Sequence, residues 1–309
     1  MSALLARMRG ERGQAIVFVV FGLAVMVAMA SLVIDGGSWR RTQRQVQTAA
    51  DAAALAGAQD IPNQVSARAS ALAYAQQNFS GIAAPTVTFP SAGEVDVVAA
   101  KPVSGLVVSA LNATARAHAR AAVGVPASLS HVAPVAVKTT AACTVADPSC
   151  YGVTRTVSFD ESNIASSLIG LINVECHADT SSGCGSGSTG ASVLGGWIEN
   201  GYPSPLPANQ WYGVKTGVSE GQIRAGLAAA AAARTTLLFP VWDQADAANR
   251  SFHVIGWAAF VIDVGGVNWT SHDRILTGHF TTFIATDVAS GGTIDGAGDF
   301  GVHVINLTQ

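Results

Sequence analysis

Charged residues are scarce in this chain of 309 residues. Asp, Glu, Lys and Arg together make up 12% of the sequence, roughly half of the usual fraction. The formal net charge is −3, so the chain lacks the basic field with which proteins hold DNA or RNA, and we predict no nucleic-acid partner. Apolar residues reach 49%, which excludes a disordered chain because disordered segments are poor in apolar side chains.

The sequence also lacks the motifs that carry catalysis. It contains no Walker A motif, no H-E-x-x-H and no G-x-S-x-G directly after a predicted strand, the patterns that position a phosphate, a zinc ion or a nucleophile. The spacing of His272 and His279 fits no familiar zinc site. The segment from Asp295 to Asp299 resembles only a fragment of a calcium loop, because no closing bidentate carboxylate follows it. We therefore predict that the protein is not an enzyme and has no catalytic residue, metal site, cofactor or small-molecule substrate.

One long uncharged run lies near the N-terminus. Residues 15–34 read AIVFVVFGLAVMVAMASLVI, and as a helix they would extend about 30 Å, the thickness of the hydrocarbon core of a bilayer. We predict a retained membrane span here, with a polar break at Asp35-Gly36-Gly37 on its outer edge. Three arginines precede the run and three follow it: Arg7, Arg9, Arg12, Arg40, Arg41 and Arg44. This near-symmetry gives the positive-inside rule only a weak preference for an N-terminus inside.

The segment from Ser38 to Ala58 has high helix propensity, with arginine and glutamine in its first half and alanine in its second. Val46, Ala50, Ala54 and Ala58 recur every four residues, so they form one flat stripe of small side chains. We predict that this stripe is a helix-packing face that another helix or a sheet can approach closely. Trp39 stands where an interfacial aromatic residue is expected.

These residues carry a family resemblance. Asp35-Gly36, the Arg/Gln-rich turn and the run VQTAADAAALAGA over residues 46–58 resemble the N-terminal signature of TadE/TadG-like proteins of the Flp (Tad) pilus assembly system. The resemblance extends over residues 9–58. It implies a component of that assembly system, whose partners are other Tad/Flp assembly subunits. Independently of the resemblance, the hydropathy and the cysteines predict a single-pass protein of the bacterial cytoplasmic membrane, with the N-terminus inside and most of the chain outside. Long TadG-like proteins often carry a D-x-S-x-S metal motif, which this sequence lacks.

Two other interpretations of the N-terminal segment remain. Ala28-Met29-Ala30 is an A-x-A site at which a signal peptide could be cleaved, although the apolar run continues unbroken to Ile34. A prepilin cut after Gly10 or Gly13 would have Ala15 or Phe18 at the fifth mature position. A filament-forming pilin usually has Glu there, so this second interpretation of a major pilin is disfavoured.

The remaining periodicity predicts an α+β fold in four parts. Residues 1–14 are a basic cytoplasmic start and residues 15–34 a transmembrane helix. Residues 35–124 form a pilin-like unit in which the helix that continues the span packs on a small antiparallel sheet. Residues 125–309 form a β-rich extracytoplasmic domain that begins after Gly124-Val125-Pro126.

Within these parts, residues 63–79 predict a second helix that has Val65, Ala69, Leu72, Ala73 and Gln76 on one side. A helix over 220–234, opened by Ser219 as N-cap, is predicted in the distal part. Residues 179–196 are Ser/Gly-rich and predict a surface loop. Alternating or apolar runs predict strands at 86–89, 94–99, 114–120, 154–159, 236–241, 252–263, 275–286 and 302–307; the run 106–111 is ambiguous.

Four cysteines allow three disulfide pairings. Pairing Cys143 with Cys150 and Cys176 with Cys184 closes two short polar loops, each rich in turn formers, at little entropic cost. We favour this local pairing in an oxidising compartment. A crossed pairing and reduced thiols stay open as alternatives, and no C-x-x-C spacing supports a structural zinc.

A second function of a different class is open: a membrane-tethered surface adhesin or ligand-binding β-rich module. Trp197, Trp211 and Trp269 lie in loop-like sequence contexts and would suit contact with a glycan.

Overall fold

The computed structural model describes residues 12–105, 112–185, 187–216, 220–270, 273–286, 288–294 and 298–308, with side chains from residue 16 onward. These residues form an α+β fold. Its helices are α1 Arg12–Gln59, α2 Gln64–Asn78, α3 Ala191–Asn200 and α4 Glu220–Ala233. Its strands are β1 Thr86–Thr88, β2 Glu94–Ser104, β3 Asn112–Pro126, β4 Ser128–Leu129, β5 Val135–Lys138, β6 Thr154–Ser158, β7 Ile169–Leu171, β8 Leu206–Pro207, β9 Gln210–Gly213, β10 Thr236–Asp246, β11 Ser251–Trp269, β12 Arg274–Thr281, β13 Phe283–Ala285, β14 Ser290–Thr293, β15 Asp299–Phe300 and β16 Val302–Thr308.

The predicted span and the predicted juxtamembrane helix form one uninterrupted helix, α1, of 48 residues. The helix passes through Gly36 and Gly37 without a break, although the sequence predicts a polar break there. At a rise of 1.5 Å per residue its length is about 72 Å. An element of this length joins the apolar run directly to the folded body.

The second helix forms as predicted, but its buried face is a different one. The Asn63 side chain accepts hydrogen bonds from the backbone N–H groups of Val65 and Ser66 and so caps α2. The buried residues are Ala67, Ala71 and Ala75, whereas Val65 is 82% exposed. The predicted stripe through Val65 was wrong, because α2 packs so closely against α1 that only the alanine face fits between them.

The first sheet has the order β1-β2-β3-β16-β13, and β14 also pairs with β3. Strands β2 and β3 form a long antiparallel hairpin that pairs Glu94 with Ala122 at one end and Ser104 with Asn112 at the other. The alternate residues Ala115, Ala117, Ala119 and Ala121 of β3 are buried. This small-residue face lies against α1 and, together with α2, forms the smaller hydrophobic core.

The second sheet has the order β6-β12-β11-β10-β5-β7, with β9 and β15 also paired to β11. Strand β11 lies between β10 and β12, in the central position that the two-sided apolar run at 252–263 predicts. Its core is aromatic: Trp242 stacks on Phe252 with ring centroids 4.3 Å apart, and Phe260 contacts Phe239 and Phe280. Helix α4 packs on β11, and α3 packs on α4.

Two features of the distal region differ from the prediction. Helix α3 begins at Ala191, inside the segment predicted as a surface loop. Strand β16, predicted to belong to the distal domain, pairs with β3 in the first sheet, because the chain crosses from the second sheet at β15 to the first sheet directly after Gly301. As a division into independently folding units, the boundaries at residues 34 and 124 stay predictions.

Several predicted features fall outside the described residues, and nothing is said of their structure. They are most of the basic start, the run 106–111, the N-cap Ser219, His272 and the segment 295–297.

Both disulfides have the local pairing that the short loops favour, Cys143 with Cys150 and Cys176 with Cys184. Three of the four cysteines are buried: Cys143, Cys150 and Cys184. The first bridge lies in the aromatic core of the second sheet. The second closes a loop that is joined to that sheet by the backbone pairing of Ala178 with Trp211 of β9.

Tryptic digestion without reduction tests the pairing sharply. The sequence has trypsin sites at Lys138, Arg155 and Lys215 and none between them, so each local bridge lies within one peptide, 139–155 or 156–215. We expect two separate peptides in the mass spectrum, each gaining two hydrogens on reduction. A single species that joins the two peptides would contradict the pairing, and alkylation of all four thiols in the unreduced protein would refute both bridges.

Candidate functional site

Most of the apolar part of α1 is exposed, and its burial begins only in the last turn. Phe18 and Phe21 are each 70% exposed, and Met26 is 72% exposed. Only 6% of the most apolar 18-residue window is buried within the protein. The described residues contain one helix that is long and apolar enough to cross a membrane. Exposed apolar surface of this extent needs an apolar surrounding, which a bilayer supplies.

The buried face of α1 begins at Ser31, in the last turn of the apolar run. Ser31 and Asp35 are 6% exposed, and the predicted packing face follows on the same side of the helix. All four residues of that face are buried: Val46, Ala50, Ala54 and Ala58. They pack on β2, β3 and α2 of the same chain. The partners that approach this face closely are therefore a helix and a sheet of the same chain.

Close approach explains why the run AADAAALAGA consists of small residues. A Cβ atom added at Gly57 would lie 3.1 Å from the backbone oxygen of Ala67 and 3.1 Å from a methyl group of Val95. Gly57 thus lies between α2 and β2 at a point where no side chain fits without displacement. The small residues on this face let the helix contact both neighbours at once.

Polar side chains beside the alanine face attach α1 to β3. The Gln43 amide donates a hydrogen bond to the backbone oxygen of Arg116. The Gln47 amide donates to the backbone oxygen of His118 at 3.1 Å and to the carboxylate of Asp51 at 2.8 Å. These contacts fix the helix along the length of the strand. Sequence reasoning missed both glutamines, although their spacing of four residues beside the alanine stripe was a usable signal.

The outer face of the first sheet carries a charged cluster. The Asp96 carboxylate on β2 accepts hydrogen bonds from Arg120 at 2.8 Å and pairs with His118 at 2.7 Å. Partial burial acts to raise the pKa of Asp96, but the hydrogen bonds from Arg120 and His118 outweigh it and hold the pKa below its ordinary value. The cluster therefore stabilises the fold at neutral pH, and its contribution is lost as the pH falls through the lowered pKa.

A cavity of about 340 Å³ lies where the end of α1 meets the distal region, and it is lined by Ile61, Pro62 and His303 among others. Next to it, His303 pairs with Asp299 at 2.8 Å, and both side chains are at least nine-tenths buried. Burial, helped by the nearby Asp299 charge, raises the pKa of Tyr151, which also lines the cavity. This polar cluster lies at the crossover of the chain between the two sheets.

The histidines of the distal region form pairs with single carboxylates. His253 lies 2.8 Å from Asp243, and His279 lies 3.0 Å from Asp263. In the part of the chain that the structure describes, no three His, Cys, Asp or Glu residues are placed to hold a metal ion. The absence of a metal site, a cofactor and a catalytic residue stays a prediction, as the segments with His272 and with 295–297 are not described.

The tryptophans considered for glycan contact are not in loops. Trp269 ends β11, is 2% exposed and stacks on Phe159. Trp197 lies in α3 against Tyr202, and Trp211 lies in β9 against His253. Each ring thus contacts another aromatic ring of the protein, and the adhesin or ligand-binding function stays a prediction.

An exposed apolar helix that continues into a helix docked on a sheet defines this chain as an α+β protein with a candidate single membrane span. Residues 13–60 match the model of the Tad family, described as "Putative Flp pilus-assembly TadE/G-like". The match covers α1 and ends just before α2, which confirms the resemblance over residues 9–58 and supports a pilus-related role. No curated protein and no solved structure matches the chain.

The packing face leads to a test by substitution. Replacing Ala50 or Ala54 by Leu should lower the free energy of unfolding by about 1–3 kcal/mol, because the larger side chain overpacks the contact with the sheet. Gln45→Leu is the matched control, since Gln45 is exposed on the same helix and its substitution should change stability by less than about 0.5 kcal/mol. Thermal melting of the detergent-solubilised chain, followed by circular dichroism, measures the difference. Equal melting temperatures for all three variants would show that the stripe reflects helix propensity alone.

Proposed function

We propose that this protein is a single-pass envelope component of a Tad/Flp-type pilus assembly system and acts as a structural or interaction subunit without enzymatic activity. One observation carries the proposal. The exposed apolar span runs unbroken into a helix that is docked on its own sheet, and this helix is the segment that matches the pilus-assembly family.

The topology of the proposal has the N-terminus inside the cytoplasmic membrane and the sheets outside. Both disulfides lie after the span, and disulfides persist in oxidising compartments and are rare in the cytoplasm. The arginines before residue 15 then remain on the inner side, an orientation that the positive-inside rule favours only weakly because three arginines also follow the span.

In this arrangement α1 acts as a rigid spacer between the bilayer and the first sheet. Its inner half is held by the bilayer, and its outer half is held by the alanine face and by the hydrogen bonds of Gln43 and Gln47 to β3. A continuous helix with no flexible joint sets both the height and the orientation of the first sheet above the membrane. Contacts with other assembly subunits then involve the exposed surfaces of the body, because the alanine face is already occupied.

Retention of the anchor is testable by mass spectrometry. The protein extracted from membranes should contain residues 15–30, because the apolar run continues past the A-x-A site without interruption. Peptides from chymotryptic digestion, which cleaves at the phenylalanines of the span, would detect them. A mature chain that starts at Ser31 would contradict the proposal and would make the protein a secreted one.

The pilus-related role requires a test in the producing cell. Deletion of the chain should abolish surface pili, and the wild-type chain should restore them. A chain in which residues 1–34 are replaced by a cleavable signal peptide should be exported yet fail to restore pili, because the remainder of α1 is then detached from the membrane. A chain with an unrelated single-pass helix in place of residues 15–34 is the matched control and should restore them at least in part. Normal piliation in the deletion strain would refute the role.

A further inference from the structure

We propose that Arg40, Arg41 and Arg44 bind the headgroups of anionic phospholipids in the leaflet from which α1 emerges. This inference deepens the proposed function and rests on it, because it presupposes that residues 15–34 span the bilayer.

The position of the arginines along the helix matches the headgroup layer. Arg40 to Arg44 follow Ile34, the last residue of the apolar run, by six to ten residues, which is about 9–15 Å along the axis of an unbroken helix. The polar layer on each side of the hydrocarbon core is about 5–8 Å thick. Long arginine side chains bend toward the nearest phosphates, so all three guanidinium groups can reach this layer or its surface.

The direction of the arginines leaves them free for such a partner. At about 100° per residue, the three side chains fall within about 100° of arc, roughly opposite the buried residues Val46 and Ala53. They are exposed, and the ion pairs of the described residues do not include them. Within the described residues, these six ion pairs therefore make no use of their charge.

Few carboxylates lie near them in the sequence. Residues 36–50 contain no Asp or Glu. Asp35 is 6% exposed, and the half-buried Asp51 accepts a hydrogen bond from Gln47. A chain with a net charge of −3 thus concentrates three positive charges at the point where it meets the membrane. Guanidinium groups form paired hydrogen bonds with phosphate oxygens, and basic residues next to a span attract anionic lipids.

The outward location of the arginines also has a cost that lipid binding offsets. Arginines directly after a span oppose its translocation under the positive-inside rule. An acidic surface of another assembly subunit is the competing partner. The lipid is favoured because the arginines lie at headgroup depth, next to the half-exposed Trp39, an aromatic residue of the kind that is enriched in this layer.

Trp39 makes the proposal measurable. The other five tryptophans all come after residue 190, in the distal region. The full chain is reconstituted into vesicles of phosphatidylcholine and phosphatidylglycerol, in which one lipid or the other is brominated so that it quenches nearby tryptophan fluorescence. We expect brominated phosphatidylglycerol to quench more strongly than brominated phosphatidylcholine at the same mole fraction, and Trp39→Phe to remove the lipid-dependent signal.

Substitution of the arginines should abolish this preference. In the triple variant Arg40→Gln, Arg41→Gln and Arg44→Gln, the two brominated lipids should quench equally. The distal variant Arg224→Gln, Arg234→Gln is the control, since both residues are exposed and lie in or next to α4; it should keep the preference. Higher ionic strength should weaken the preference of the wild-type chain.

Vesicles in which both lipids are brominated distinguish a failure of the proposed lipid binding from a failure of the proposed membrane span. If the span inserts, wild-type and triple-variant chains are quenched to the same extent in them. Absence of quenching in the wild type would refute the membrane span itself. Quenching in these vesicles with no preference for phosphatidylglycerol in the wild type, or with a preference that survives in the triple variant, would overturn lipid binding. Loss of pili in the triple variant with an unchanged lipid preference would point instead to an acidic subunit.

Discussion

The contact between one alanine-rich helix face and one alanine-rich strand governs the arrangement of the whole molecule. Ala50 and Ala54 of α1 and Ala115 and Ala119 of β3 are all buried in the same core. With so little side chain between them, the helix and the sheet approach closely, and a continuous row of contacts replaces a few large ones. The individual contacts are weak, but together they hold the helix against the sheet over several turns. The orientation of the rest of the protein relative to α1 depends on this contact between the helix and β3.

The two cores of the protein are built on different physical principles. Around α1 and α2 the buried residues are mainly alanine and valine, so the geometry is set by backbone proximity and by amide hydrogen bonds from Gln43 and Gln47. Around β10 and β11 the buried residues include Trp242, Trp257 and Phe260, which bury large apolar areas. The core around β10 and β11 thus stabilises the fold through the large apolar volume that it buries. The core around α1 and α2 instead fixes the position of the helices on the first sheet.

Sequence patterns predicted the features that depend on local periodicity. The anchor, the stripe from Val46 to Ala58 and the central strand at 252–263 follow from spacing alone. The face of α2 was mispredicted because Val65 is more apolar than Ala67, and a hydrophobic pattern gives no weight to the closeness of the helix partner. The membership of β16 in the first sheet depends on a contact between distant parts of the chain, which no local pattern contains. The Asp96 cluster was visible only as the alternation of His118 and Arg120 on one strand, without a sign of its acidic partner on the other.

The crossover from β15 to β16 has a consequence for biogenesis. Strand β16 completes the sheet that receives the anchor helix, yet more than half of the chain lies between it and its partner β3. If the residues after the span are exported in chain order, the outer half of α1 emerges from the membrane long before its docking sheet is finished. Strand β3 then has an unpaired edge throughout the export of the second sheet, and such an edge is prone to pair with the wrong strand. With that order of export, the first sheet is completed late, when the distant strands β14 and β16 arrive.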